Sequence, residues 1–383
     1  MENLSQSSED GLLALQKGDM RYAFSKLSEA FAKGADDENT LLGLAISARE
    51  IERHDISLQM AGRLLELESG NVEALILKAD ALAATGDQRQ AAAHYVIAVQ
   101  AAPPPAQMNS QLASEVERAR KECATAAVQY EEFLRSNIRD LGLYDGSGRA
   151  RGEQALDILF GGKQIYYQQP EKFYFPELPQ VQFYDPSDFP WTRDLIAKTE
   201  VIRAELEAIL ASPDNFEAYV PAVSKTPHLR DNALMGNEDW GAFHLLKDGV
   251  QVEKNARRCP ATIEALKAVP APNVPGKSPM ALFSRFKPGA HLPPHTGLMN
   301  TRIICHLPLI APDGCRIRVG NQERQWRMGE MLIFDDSIEH EAVNAGKSQR
   351  VILLFDIWRP ELSEDDRAFI SAVFEAIEEF GVF

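Results

Sequence analysis

Two stretches decide the fold of this chain: HLPPHTGLMNTRIICHLPLI at residues 291–310 and GEMLIFDDSIEHEAVNAGKSQRVILLFDIW at residues 329–358. His295 and His340 stand 45 residues apart, each at the edge of an apolar, β-prone run, and Arg350 follows ten residues after the second. A histidine early in a sheet meets one late in it only if the sheet curls back on itself, as in a barrel or jelly roll. The pattern therefore predicts a two-histidine metal pocket. Imidazole suits iron, zinc or copper, and a set with few protein donors keeps positions open for a small bidentate ligand and a gas.

Around these stretches the sequence from Met280 onward breaks into short β runs: ALFSRF, HLPPH, TRIICHLPLI, CRIRV, RQW, MLIF and RVILLFDIW, with Gly, Pro, Asn and Asp between them. Such punctuation predicts an antiparallel sandwich or jelly roll. Two-residue alternation on TRIICHLPLI puts Arg302, Ile304, His306 and Pro308 on one face and Ile303, Cys305 and Leu307 on the other. Arg350 opens its strand with Ile352 and Leu354 on the same face. An arginine aimed into a barrel is strongly penalised by desolvation unless a carboxylate meets it, so a metal beside it suggests a keto-acid cosubstrate. His291 lies about 13 Å along an extended chain from His295, too far to share one metal in the same way. Asp335 and Asp336 are available as a third ligand, but an Asp-Asp-Ser turn more often caps its own backbone. Glu339 points away from the side of His340.

Ahead of the β region, residues 10 to about 135 read as helical, with no proline before Pro103. A unit recurs from Lys17, Arg53 and Thr85, with turn positions Asp19, Asp55 and Asp87 spaced 36 and 32 residues apart. These average to the 34-residue period of tetratricopeptide repeats. Ala91 and Ala98 sit where two helices approach closely, Pro103 ends the third unit, and the middle unit has His54 where glycine is usual. Stacked helix pairs leave a concave surface that commonly holds a peptide or another protein. A further long helix is predicted over 104–138. The glycine-rich GLYDGSGRARG of residues 142–152 reads as a hinge, followed by a short helix near 154–160 and an extended aromatic and proline segment from Phe173. One amphipathic helix is predicted from Thr192, and a last one, capped by Ser363 and Asp366, closes the chain.

At 383 residues the chain has room for two domains, and 45% hydrophobic with 25% charged residues is ordinary for a soluble globular protein. The start MENLSQSSED lacks the features of a signal peptide, no apolar run is long enough for a bilayer, and four cysteines without CxxC spacing read as free thiols. Together these predict a cytoplasmic protein. A net charge of −16 argues against nucleic acid as a partner.

The residues SRFKPGAHLPPHTGLMNTRIICHLPL, with FDDSIEHEAVN, Arg350 and DIWRPEL, resemble the aspartyl/asparaginyl β-hydroxylase family of iron(II) and 2-oxoglutarate dioxygenases over about residues 170 to 362. The resemblance implies an α+β chain in three parts. They are a tetratricopeptide-like helical domain at 1–138, a hinge and connecting helix at 139–170, and a double-stranded β-helix (jelly-roll) domain at 171–383. It implies iron held by His295 and His340 as the catalytic centre, with glycine, here Gly297, where most such oxygenases have a carboxylate. It also implies 2-oxoglutarate and O2 as cosubstrates. Ser284 and Arg350 would hold the 2-oxoglutarate carboxylate away from the metal, His306 would contact the cosubstrate and Trp240 would line its site. Ile304 departs from the arginine of the family, and Arg302 on the same face stands in as a candidate partner. The expected reaction turns a C–H bond into C–OH, preferably on an Asp or Asn side chain of a peptide or protein. The alternatives are an inactive repeat scaffold with an oxygenase fold and a zinc-dependent cupin-like enzyme.

Overall fold

The computed structural model describes residues 2–142, 149–212, 215–220 and 236–381. The chain divides into two compact units, Met1–Leu156 and Asp157–Phe383. This division falls inside the stretch 139–170 that the sequence assigns to the hinge and connecting helix. Residues 143–148 of the glycine-rich stretch lie outside the described residues.

In the first unit the helices are α1 Glu2–Gln16, α2 Met20–Ala32, α3 Glu38–Glu50, α4 His54–Leu67, α5 Val72–Ala84, α6 Gln88–Ala101 and the long α7 Ser110–Asp140. Helix α8, Arg149–Leu159, follows. Consecutive helices pack in antiparallel pairs because small residues face each other: Ala23, Ala30, Ala45, Ala61, Ala91 and Ala98 are all essentially buried. The N-termini are capped by Asp19, Asp37, Asn71, Asp87 and Asn109, each accepting a backbone N–H, a contribution of about 1 kcal/mol apiece.

The middle repeat corrects its sequence alignment. The cap position is Arg53, not Asp55, and the left-handed residue before it is Glu52, at φ 61°, where the other two turns have Gly18 and Gly86. Arg53 lies 34 residues after Asp19 and 34 before Asp87, so the repeat is regular. The sequence hid this because glycine, the usual marker of a positive φ, is replaced by glutamate.

The second unit is built on strands β1 Phe183–Tyr184, β2 Glu217–Ala218, β3 Trp240–Lys247, β4 Val250–Gln251, β5 Ala281–Phe286, β6 His291–His295, β7 Arg302–Ile310, β8 Cys315–Val319, β9 Gln322–Gln325, β10 Leu332–Phe334, β11 His340–Asn344 and β12 Arg350–Trp358. One sheet runs β1-β10-β7-β12-β5-β3-β2, with β4 on β3, and the other runs β6-β11-β8-β9. The pairing is antiparallel throughout both sheets. This is the jelly-roll layout expected from the sequence, except that β1, β2, β3 and β4 precede the predicted start of the β region at Met280.

Alternation on β7 holds as predicted. Ile303, Cys305, Leu307 and Leu309 join Leu353, Phe355 and Phe283 in a core on one face of the larger sheet. That face is covered by α9 Thr192–Ile196, α10 Thr199–Leu210 and α12 Pro260–Leu266, through Leu195, Ile202, Leu206, Ile209 and Ala265. The single helix expected from Thr192 is two helices, split at Ala197 and Lys198. The short α11, Glu253–Ala256, lies between β4 and α12. The opposite face carries Ile304, Leu282, Phe286 and Leu354, which pack with Ile317, Val319 and Ala342 of the smaller sheet. Helix α13, Glu364–Phe380, starts with the predicted Ser363–Asp366 capping box and buries Ile370 and Phe374 against Val274, Met299 and Trp358.

Candidate metal and anion site

Between the two sheets lies a cavity of ≈ 290 Å³ whose lining includes Trp240, Ser284, His295, Gly297, Arg302, His306, Asp336, His340 and Arg350. Every site residue expected from the sequence reaches this one cavity. His295 ends β6 and His340 begins β11, and the two are direct cross-strand partners with ring centroids 4.0 Å apart. Each ring places Nδ1 against a backbone carbonyl, Pro293 O at 2.8 Å and Ile338 O at 3.1 Å. A neutral imidazole that donates from Nδ1 keeps its lone pair on Nε2, which is the ligating form. Burial holds both rings neutral, depressing His295 and pushing His340 down to about 3, where the neighbouring His295 adds to the effect.

Gly297 has a local reason to be glycine. A Cβ there would collide with the carboxylate of Asp336, which fills the adjoining space. The turn Asp335-Asp336-Ser337 therefore divides its roles. Asp335 caps the backbone as expected, accepting from Ser337 N and Oγ, and is fixed by Gln168 Nε2 and the buried Arg359 at 2.5 Å. Asp336 does not cap: it turns to the cavity, its Oδ1 is buried with no partner, and burial raises its pKa to about 7. The sequence reading assigned both aspartates to capping because the turn type does not say which carboxylate faces inward. Among the described residues no group of three or more His, Cys, Asp or Glu side chains is set to hold a metal.

The other end of the cavity carries a buried cation. Arg350 is 2% exposed, and its Nε and Nη1 are buried without a hydrogen-bond partner. It is held between aromatic faces, with its guanidinium 4.0 Å from the ring centre of Phe286 and 4.5 Å from that of Trp326. Burial pulls its pKa down to about 9. Trp240 Nε1 donates to Ser284 Oγ at 3.1 Å, and because an indole N–H only donates, the hydroxyl proton of Ser284 is left for another acceptor. Trp326, which the sequence reading passed over, donates to His306 Nδ1 at 3.2 Å. His306 is held well below its usual pKa by burial and by Arg350 and His340.

Arg302 is differently placed from Arg350. Its Nη1 is bound to Asp356 at 2.8 Å and to Ser278 Oγ at 3.2 Å. It is thus not a free substitute for the arginine absent at Ile304, which packs in the cavity wall. Asp356 was also missed, although a carboxylate inside the otherwise apolar RVILLFDIW was a visible signal. His291 stands apart from the His295–His340 pair, with its Nε2 2.7 Å from Glu341.

The family described as Aspartyl/Asparaginyl beta-hydroxylase matches residues 197–360. The chain is 35% identical to the ornithine lipid ester-linked acyl 2-hydroxylase of Rhizobium tropici, over 49% of this chain and 63% of that protein. It is 30% identical to human aspartate beta-hydroxylase domain-containing protein 2, over 54% of this chain and 55% of that one. Human aspartyl/asparaginyl beta-hydroxylase is 36% identical over 37% of this chain and 19% of its own length. The chain thus spans less than two thirds of the length of these relatives. Solved structures with partial likeness are the Arabidopsis OM64 TPR domain (20% identity, 32% of this chain and 97% of that chain, TM-score 0.27) and the Schizosaccharomyces pombe Cnp3 cupin domain (13%, 35% and 74%, TM-score 0.24). Over residues 197–360 this chain is similar to the aspartyl/asparaginyl β-hydroxylase family.

Proposed function

We propose that this protein is an iron(II)- and 2-oxoglutarate-dependent dioxygenase that hydroxylates a C–H bond, with an Asp or Asn side chain of a peptide or protein as the preferred substrate. The observation that carries the reading is Arg350, a buried guanidinium without an anionic partner among the described residues, in the cavity that also holds two neutral imidazoles. Such a cation is strongly destabilising by itself and calls for a bidentate carboxylate ligand.

His295 and His340 would hold the metal through Nε2. Bound there, iron(II) supplies oxygen activation coupled to the oxidative decarboxylation of 2-oxoglutarate to succinate. The protein's own groups do the positioning. Arg350 and the Ser284 hydroxyl take the far carboxylate, His306 lies beside it, and the apolar wall of Ile304, Ile352 and Leu354 keeps water away from the reacting centre. Asp336, with a lone acceptor oxygen beside Gly297, is placed to accept a proton-bearing group at the metal side of the cavity.

The repeats of the first unit would supply the peptide-binding surface, since stacked helix pairs commonly do so. The rhizobial relative is named for a lipid acyl chain, so acyl substrates belong in the same assay. The four free cysteines, three of them buried, support a reducing, cytoplasmic setting. The test is anaerobic addition of iron(II) and 2-oxoglutarate to the protein, which should give the weak visible metal-to-ligand charge-transfer band. A scaffold without the centre, or a zinc enzyme, would give none.

A further inference from the structure

We propose that Trp326 is a positioning residue that fixes which nitrogen of His306 carries the proton, and so makes His306 a hydrogen-bond donor to the cosubstrate. The proposal rests on the 2-oxoglutarate reading of the cavity.

The argument starts from what each ring is able to do. The indole N–H of Trp326 is a donor only, and it points at His306 Nδ1 from 3.2 Å in a buried site. Nδ1 must therefore offer a lone pair. The tautomer with a proton on Nδ1 would set two N–H groups against each other, and so would the imidazolium. One arrangement remains: a neutral ring with its proton on Nε2.

That arrangement decides the sign of the interaction with an anion. His306 lines the cavity together with Arg350 and Ser284. With Nε2–H it presents a donor to a carboxylate. In the other tautomer the Nε2 lone pair would face the carboxylate oxygens and repel them. Trp326 also touches the second cosubstrate group, its ring lying 4.5 Å from the Arg350 guanidinium. Among the described residues no carboxylate pairs with Arg350, and the aromatic faces of Trp326 and Phe286 set its plane. A single side chain just past the end of β9, 3% exposed, thus arranges both donors.

The test uses the full-length protein labelled with ¹⁵N-histidine, with long-range ¹H–¹⁵N NMR reporting the tautomer and the His306 signal assigned by its loss in His306→Ala. The metal-free parent should show His306 with its proton on Nε2. Trp326→Phe keeps an aromatic face for Arg350 and removes only the N–H donor. It should give a mixture of tautomers and raise the 2-oxoglutarate Kd of the manganese(II)-loaded protein about tenfold. In a His306→Ala background the same substitution should cost nothing further, whereas a merely structural tryptophan would weaken binding equally in both backgrounds. A parent protein with the proton on Nδ1 would overturn the proposal with no variant needed. So would Trp326→Phe with unchanged tautomer and affinity. A parent that shows the Nε2–H tautomer but binds no 2-oxoglutarate would overturn the functional reading while upholding the indole–imidazole lock.

Discussion

Arg302 and Asp356 form a buried ion pair across β7 and β12, 2.8 Å between Nη1 and the carboxylate, with Ser278 Oγ bonded to both. The two side chains are 6% and 0% exposed, so each is the main answer to the other's desolvation. Arg350, on β12 of the same sheet, has no such answer among the described residues. The two arginines look alike in the sequence, and only their partners separate a structural guanidinium from a ligand-seeking one.

Asp356→Ala would leave Arg302 buried and unpaired. Removing one member of a buried pair typically costs about 3–5 kcal/mol. Urea denaturation of the metal-free protein should show a loss of that size. A loss under about 1 kcal/mol would mean that Arg302 finds another partner.

Arg350→Met should have opposite effects on stability and on binding. Removing a buried cation that has no partner should raise the urea midpoint of the ligand-free protein, because an apolar side chain of similar length carries no desolvation cost. The Kd for 2-oxoglutarate should rise at least about tenfold, equivalent to about 1.4 kcal/mol, while metal binding persists. Calorimetric titration on manganese-loaded protein checks the second part. Unchanged affinity would show that the anion site lies elsewhere.

Gly297→Ala should disrupt the metal side of the cavity, since the new methyl group meets the Asp336 carboxylate. Iron(II) affinity and thermal stability should both fall. If the collision is the cause, Asp336→Ala in the same chain should restore part of the lost stability, giving a non-additive double-mutant cycle. Additive losses would point to a backbone effect instead.

Loss of either proposed metal ligand is the direct check on the centre. His295→Ala and His340→Ala should each abolish stoichiometric iron(II) binding in a protein that still unfolds cooperatively. Full iron occupancy in both would place the metal elsewhere.

The stability of the metal-free protein should depend on the neutrality of His340. Its ordinary pKa is 6.5 and the folded environment, chiefly by burial, pulls it down to about 3. The unfolded chain therefore binds the proton first. The contribution is fully present above pH 6.5 and is lost as the pH falls from there toward about 3. Between pH 6.5 and 4.5 the parent should lose stability more steeply than His340→Gln, and equal slopes in denaturation series would refute the neutral buried imidazole.

The sequence by itself determined the periodicities and the residue types. Alternation on TRIICHLPLI put Arg302, Ile304 and His306 on one face, and the histidines at the edges of two β runs implied a closed sheet. Small residues at 91 and 98 implied close helix packing. These are local properties, set by the two-residue period of a strand and the stacking of a helix. Tertiary structure alone decided which buried polar groups find partners. Whether Arg302 or Arg350 is free depends on Asp356, Phe286 and Trp326, which reach them across strands. Asp336 faces the cavity and Asp335 does not because Arg359 and Gln168 hold Asp335. The left-handed turn at Glu52 was hidden for a related reason: the packing of α3 and α4 imposes a backbone angle that the residue type does not announce. Desolvation and partnership belong to groups far apart in the chain, and they are fixed only when the strands close around the cavity.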